Sequence, residues 1–121
     1  MRVAGHLRAA YNGHLPVVQY VCEQGADKEA RDEYGSWTPP LRAAYNGHLP
    51  VVQYVCEKGA DKEARDEGGT KPLHYAAGKG HLTVVQYLCE QGADKEARGK
   101  DGMTALHEAA QEGHLPVVQH V

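Results

Sequence analysis

No apolar run in the 121 residues approaches the ~20 that a membrane-spanning helix needs, so none is expected to enter a bilayer. Residues 1–6, Met1-Arg2-Val3-Ala4-Gly5-His6, lack the apolar stretch of a secretory signal. An excess of either charge is also missing, since 13 basic and 16 acidic side chains, interspersed along the chain, leave a net −3. That argues against nucleic acid, which calls for a basic stripe, and against a membrane surface, which calls for a polybasic patch. Cysteine is scarce: three residues, with no Cys-x-x-Cys pair to hold zinc. Free thiols point to a reducing compartment, so the expected location is the cytoplasm or the nucleus rather than the secretory route. There is no EF-hand loop, no phosphate-binding glycine motif and no Gly-x-Ser-x-Gly. Catalysis, a cofactor and a bound metal are therefore not expected. With 41% apolar and 24% charged residues, the chain has the composition of one soluble globular domain.

What the chain has in abundance is itself. Gly-His-Leu recurs at Gly13, Gly47, Gly80 and Gly113, spaced 34, 33 and 33. Gly-Ala-Asp recurs at Gly25, Gly59 and Gly92. Residues 7–33 and 41–67 differ only at Gln24 against Lys58. A fixed period in this range is the signature of a solenoid. The longer first interval places one extra residue in Gly35-Ser36-Trp37-Thr38-Pro39-Pro40-Leu41, where the next copy reads Gly69-Thr70-Lys71-Pro72-Leu73-His74.

Each copy predicts two short helices and a finger. Alanine pairs such as Ala43-Ala44 and Ala76-Ala77 favour a first helix and allow close approach of neighbours. A glycine ends it, and Pro16, Pro50 or Pro116 suits the first turn of a second helix, where a missing N–H costs nothing. The run Val17-Val18-Gln19-Tyr20-Val21-Cys22 then gives one apolar helical face. Gly25, Gly59 and Gly92 stop that helix, and polar stretches follow as loops or hairpin fingers.

The unit resembles the ankyrin repeat. Lys71-Pro72-Leu73-His74-Tyr75-Ala76-Ala77 and Thr104-Ala105-Leu106-His107-Glu108-Ala109-Ala110 are close to the family's Thr-Pro-Leu-His-x-Ala-Ala opening. The resemblance covers essentially the whole chain. It implies an all-α solenoid of stacked L-shaped units, approximately 1–31, 32–65, 66–98 and 99–121, with fingers and first helices lining a concave groove. It also implies that the Pro-Leu-His histidine bonds backbone and threonine groups. Pro40-Leu41-Arg42 departs from that pattern, which leaves the geometry of residues 35–42 open.

Other residue sets have plain structural readings. Cys22, Cys56 and Cys89 occur once per unit on the apolar helix face and are expected to be small buried packing residues. Six of the eight histidines belong to the repeat, and no His-x-x-x-His appears. Asp-Lys-Glu-Ala-Arg at 27–31, 61–65 and 94–98 alternates in sign, as a solvated face does. The family's asparagine-hydroxylation position is Glu29, Glu63 or Glu96 here, so that modification is not expected.

The informative residues are those that differ between near-identical units. In the fingers they are Glu33, Tyr34, Ser36, Trp37, Glu67, Gly68, Thr70, Lys100, Asp101 and Met103. On the groove side of the first helices come Tyr11 and Asn12, Tyr45 and Asn46, Gly78 and Lys79, then Gln111 and Glu112. The resemblance implies that such positions carry partner contacts. Two readings of Trp37 stay open: an aromatic anchor for a partner, or a filler of the gap left by the extra residue. The expected function is protein binding through the concave face, with the partner unknown. The alternative is a spacer from a longer array with no partner of its own. Neither end carries a polar capping repeat. The chain is thus expected to be an excised piece or a short natural protein, with weak self-association through its ends.

Overall fold

The computed structural model describes residues 12–27, 30–32 and 35–121. Among them are seven helices and no strand. They are α1 (Leu15–Glu23), α2 (Pro39–Asn46), α3 (Leu49–Glu57), α4 (Pro72–Gly78), α5 (Leu82–Glu90), α6 (Ala105–Gln111) and α7 (Leu115–His120). Helices α2, α4 and α6 pack side by side as one row, and α1, α3, α5 and α7 as a second. Within each unit the two rows meet as the pairs α2/α3, α4/α5 and α6/α7.

Local chemistry sets the helix starts. Pro39 and Pro72 open α2 and α4, where no N–H is required. The Thr38 hydroxyl accepts a hydrogen bond from the Leu41 amide at 3.4 Å. At the start of α6 the Thr104 hydroxyl accepts from the His107 amide at 3.3 Å, and His107 Nδ1 accepts from the Thr104 amide at 3.1 Å. His74 repeats that bond to the Lys71 amide at 3.1 Å, while its Nε2–H donates to the Ala97 carbonyl in the next finger at 2.9 Å. The histidine roles implied by the ankyrin resemblance are thus present.

The core lies between the two rows. Ala43, Ala44, Ala76, Ala77 and Ala109 are fully buried where first helices touch, and Val51, Val52, Val84, Val85 and Leu88 fill the space behind them. Burying one such valine or leucine contributes roughly 1.5–3 kcal/mol, and the covering surface comes both from the paired helix of the same unit and from neighbouring units. The three cysteines sit at the edge of this core and are half-buried rather than enclosed.

The region around residues 35–42 is regular where the helix begins. Asp66 N donates to Thr70 O (3.0 Å) and Gly99 N to Met103 O (2.8 Å), each closing a finger tip. The equivalent bond in the longer unit is Asp32 N to Trp37 O at 2.9 Å, so the tip holds the extra residue. Gly35 and Ser36 in that tip have positive φ, 102° and 60°. Leu41 then occupies the place of His74, fully buried.

Candidate functional site

The first-helix row and the finger tips enclose an open groove of about 420 Å³. Its finger side is Thr70, Lys100, Asp101 and Met103. Its helix side is Tyr45 from α2, Tyr75, Gly78 and Lys79 at the α4 end, and Glu108, Gln111 and Glu112 from the α6 end, with His74 at the base. Nine residues singled out from the sequence meet here: Tyr45, Thr70, Gly78, Lys79, Lys100, Asp101, Met103, Gln111 and Glu112.

Other candidates lie elsewhere. Asn12 and Asn46 are exposed beyond the groove lining. Ser36 is half-buried, its carbonyl accepting from Arg31 Nη1 at 2.7 Å. Glu67 is exposed, and its amide donates to Gly35 O at 3.0 Å, which ties two fingers together. Tyr11, Glu33 and Tyr34 fall outside the described residues.

Trp37 is half-buried at the edge of the groove in a three-ring cluster. Its ring centroid lies 5.0 Å from that of Tyr45 and 4.6 Å from that of Tyr75, and Tyr45 and Tyr75 are 5.5 Å apart. The chain's own cations cover two of these faces: the Arg42 guanidinium is 4.2 Å from the Trp37 centroid, and Lys79 Nζ is 4.7 Å from that of Tyr45. Arg42 Nε also donates to Asp32 Oδ2 at 3.2 Å. The Tyr75 hydroxyl donates to Asp66. Burial, then that bond and the charge of Asp66, raise the Tyr75 pKa well above the usual tyrosine value.

Tyr75 and Glu108 are groove residues that the comparison of copies passed over. Both stand five residues before the Gly-His-Leu glycine, where the second unit has Arg42. Arginine, tyrosine and glutamate at equivalent places are as divergent as the residues chosen, so the signal was present at that position.

Among the described residues no cluster of three or more His, Cys, Asp or Glu side chains is arranged to hold a metal ion. None of their helices is long and apolar enough to cross a membrane.

Two stacked rows of short helices, joined by proline-led turns and bonded fingers, define a helical repeat protein. The family model described as ankyrin repeats (3 copies) matches residues 6–99 and 65–121, and the chain belongs to that family. No curated protein sequence matches it. Ankyrin repeats are in general protein–protein interaction modules.

Proposed function

We propose that this chain is a non-catalytic module that binds a partner protein through the groove between the finger tips and helices α2, α4 and α6. One observation carries the reading: positions that diverge between otherwise near-identical units converge on one open cleft. Divergent positions gathered on a scaffold's concave face fit specificity placed on a repeated frame. The groove mixes two lysines, three carboxylates, Tyr45 and Met103, a composition suited to a protein surface rather than to nucleic acid or lipid.

The test compares partner capture by the wild type, a groove variant (Met103→Arg with Gln111→Arg) and a back-face variant (Tyr20→Glu, at a 61% exposed site). Capture is expected to survive the back-face change and to fail with the groove pair, all three keeping native helical signal. Loss on Tyr20→Glu alone would move the binding surface to the second-helix row. The near-identity of residues 7–33 and 41–67 favours a second reading, a spacer within a longer array. That reading gains if all three proteins capture the same background.

A further inference from the structure

We propose that the groove is anchored by an arginine side chain of the partner protein, seated over Gly78 between Tyr75 and Glu108. This rests on the groove reading above and names what that groove recognises. Among the described residues the chain itself makes the same arrangement. Arg42 lays its guanidinium on the face of Trp37 while its Nε donates to the Asp32 carboxylate at 3.2 Å. Ring, guanidinium and carboxylate therefore form one complementary set in the second unit.

At the position of Arg42 the third unit carries Tyr75 and the fourth carries Glu108. The next interface thus receives a ring and a carboxylate, with no guanidinium. Gly78, one helical turn beyond Tyr75 on α4, stands where the first two units have Tyr11 and Tyr45. Without a side chain there, the groove stays open above the helix. Glu108 Oε2 lies 3.5 Å from the place a Cβ on Gly78 would take. Glu112, one turn along from Glu108, lines the same cleft. Neither glutamate nor Asp101 enters an ion pair among the described residues. Three carboxylates against Lys79 and Lys100 leave the cleft net negative.

Arginine fits this vacancy better than its rivals. Its planar guanidinium stacks on a ring and offers paired N–H donors to a carboxylate at the same time. A lysine ammonium is a point charge that makes no planar stack. An aromatic side chain would fill the space but desolvate Glu108 and Glu112 without pairing them, which is costly.

The experiment pans a random-peptide phage library on the wild-type protein and measures the recovered peptides, made synthetically, by calorimetry. Recovered sequences are expected to be enriched in arginine, and arginine-to-lysine exchange in the peptide should weaken binding. Glu108→Gln, nearly isosteric and on a partly exposed side chain, should weaken it about tenfold or more, as loss of a charge-assisted hydrogen bond does. Gly78→Tyr, which restores the residue of the first two units, should abolish it while circular dichroism stays native. Groove-dependent peptides with no arginine enrichment, or affinity unchanged in Glu108→Gln, would overturn the arginine anchor and leave the groove standing. A library yielding no peptide that distinguishes the wild type from Gly78→Tyr would overturn both.

Discussion

The imidazole of His81 lies across Gly47, with Nδ1 only 2.6 Å from where a Cβ on that glycine would be. The ring's Nε2–H donates to the Tyr45 carbonyl at 3.0 Å, so the histidine of one unit seats on the unit before it. Gly13 and His48, and Gly80 and His114, repeat the 2.6 Å approach. Gly-His-Leu is thus a device between units: His48, His81 and His114 each seat on the glycine of the unit before. Gly47 is also left-handed at φ 75°, as Gly92 is at 86°, but nothing lies within 4 Å of a Cβ at Gly92. Gly92→Ala is expected to cost about 1–2 kcal/mol, the left-handed penalty alone. Gly47→Ala should cost roughly 1–3 kcal/mol more through overpacking. Urea unfolding of both variants checks this, and equal losses would mean that the imidazole moves aside freely.

Trp37 decides between its two readings through stability. It touches Tyr45, Tyr75 and Arg42 while remaining half-buried. A fully buried tryptophan costs about 3–5 kcal/mol on truncation to alanine. About half of that is expected for Trp37→Ala, with a weakened near-ultraviolet tyrosine signal. A loss below about 0.5 kcal/mol, the size of an ordinary surface substitution, would make the ring a free anchor for a partner.

The repeat was legible because glycine, proline and alanine carry their conformational meaning in any context. Helix breaks at Gly47 and Gly80, and second helices carrying Pro16, Pro50 and Pro116 in their first turns, follow from backbone sterics alone. Less legible were features that depend on which neighbour a side chain meets. The cysteines lie on an apolar face, yet the core edge leaves them half-buried. The irregular Pro40-Leu41-Arg42 hid an ordinary helix start, because buried Leu41 substitutes for a bonded histidine. Tyr75 and Glu108 show their role only when adjacent units are laid side by side, since a groove between units is not a local property. The candidate site could be narrowed to divergent positions, but their convergence on one cleft required the stack.

The Tyr75–Asp66 bond makes stability fall in alkali. The Tyr75 pKa in the fold lies above the usual 10.0, burial being the larger cause and Asp66 the next. The neutral phenol is favoured in the fold, so its contribution is whole below pH about 10. It is lost as pH rises further, because the unfolded chain gives up that proton first. Tyr75→Phe should therefore lose less stability above pH 10 than the wild type. At neutral pH the same variant should be weaker by about 1–2 kcal/mol, since Asp66 loses a partner. Urea titrations at several pH values check both signs, and parallel curves would exclude this pair as the source.

Cys56 should react slowly for a reason of charge as well as access. Burial is the main cause that pushes its thiol from 9.0 to about 11. The thiolate is the reactive form. Native labelling followed by mass spectrometry should therefore show a rate rising with pH until near 11, with fast reaction at neutral pH in denaturant. Cys89 is raised in the same direction by burial. A native Cys56 profile that levels off near pH 9 would mean that the thiol is solvated.

A ladder of arginines joins the fingers, and its rungs are unequal. Arg65 Nη1 donates to Gly69 O in its own finger at 2.5 Å and to Arg98 O in the next at 2.9 Å. Arg31 does the same with Ser36 O and Arg65 O, both at 2.7 Å. Arg98 Nη1 bonds Gly102 O at 2.7 Å within its own finger. A guanidinium presents several donors in one rigid plane, so it can reach both carbonyls. A lysine ammonium lacks that planar fork. Arg65→Lys is accordingly expected to keep the local contact and lose the bridge, costing about 1 kcal/mol at this exposed site. Arg98→Lys should cost only a few tenths of that order, within the range of ordinary surface changes. Hydrogen exchange should quicken at the third finger, residues 94–103, in the Arg65 variant and stay unchanged at Val51 and Val52. Equal costs for the two substitutions, or faster exchange spread evenly over the chain, would show that these arginines brace single fingers and do not couple the units.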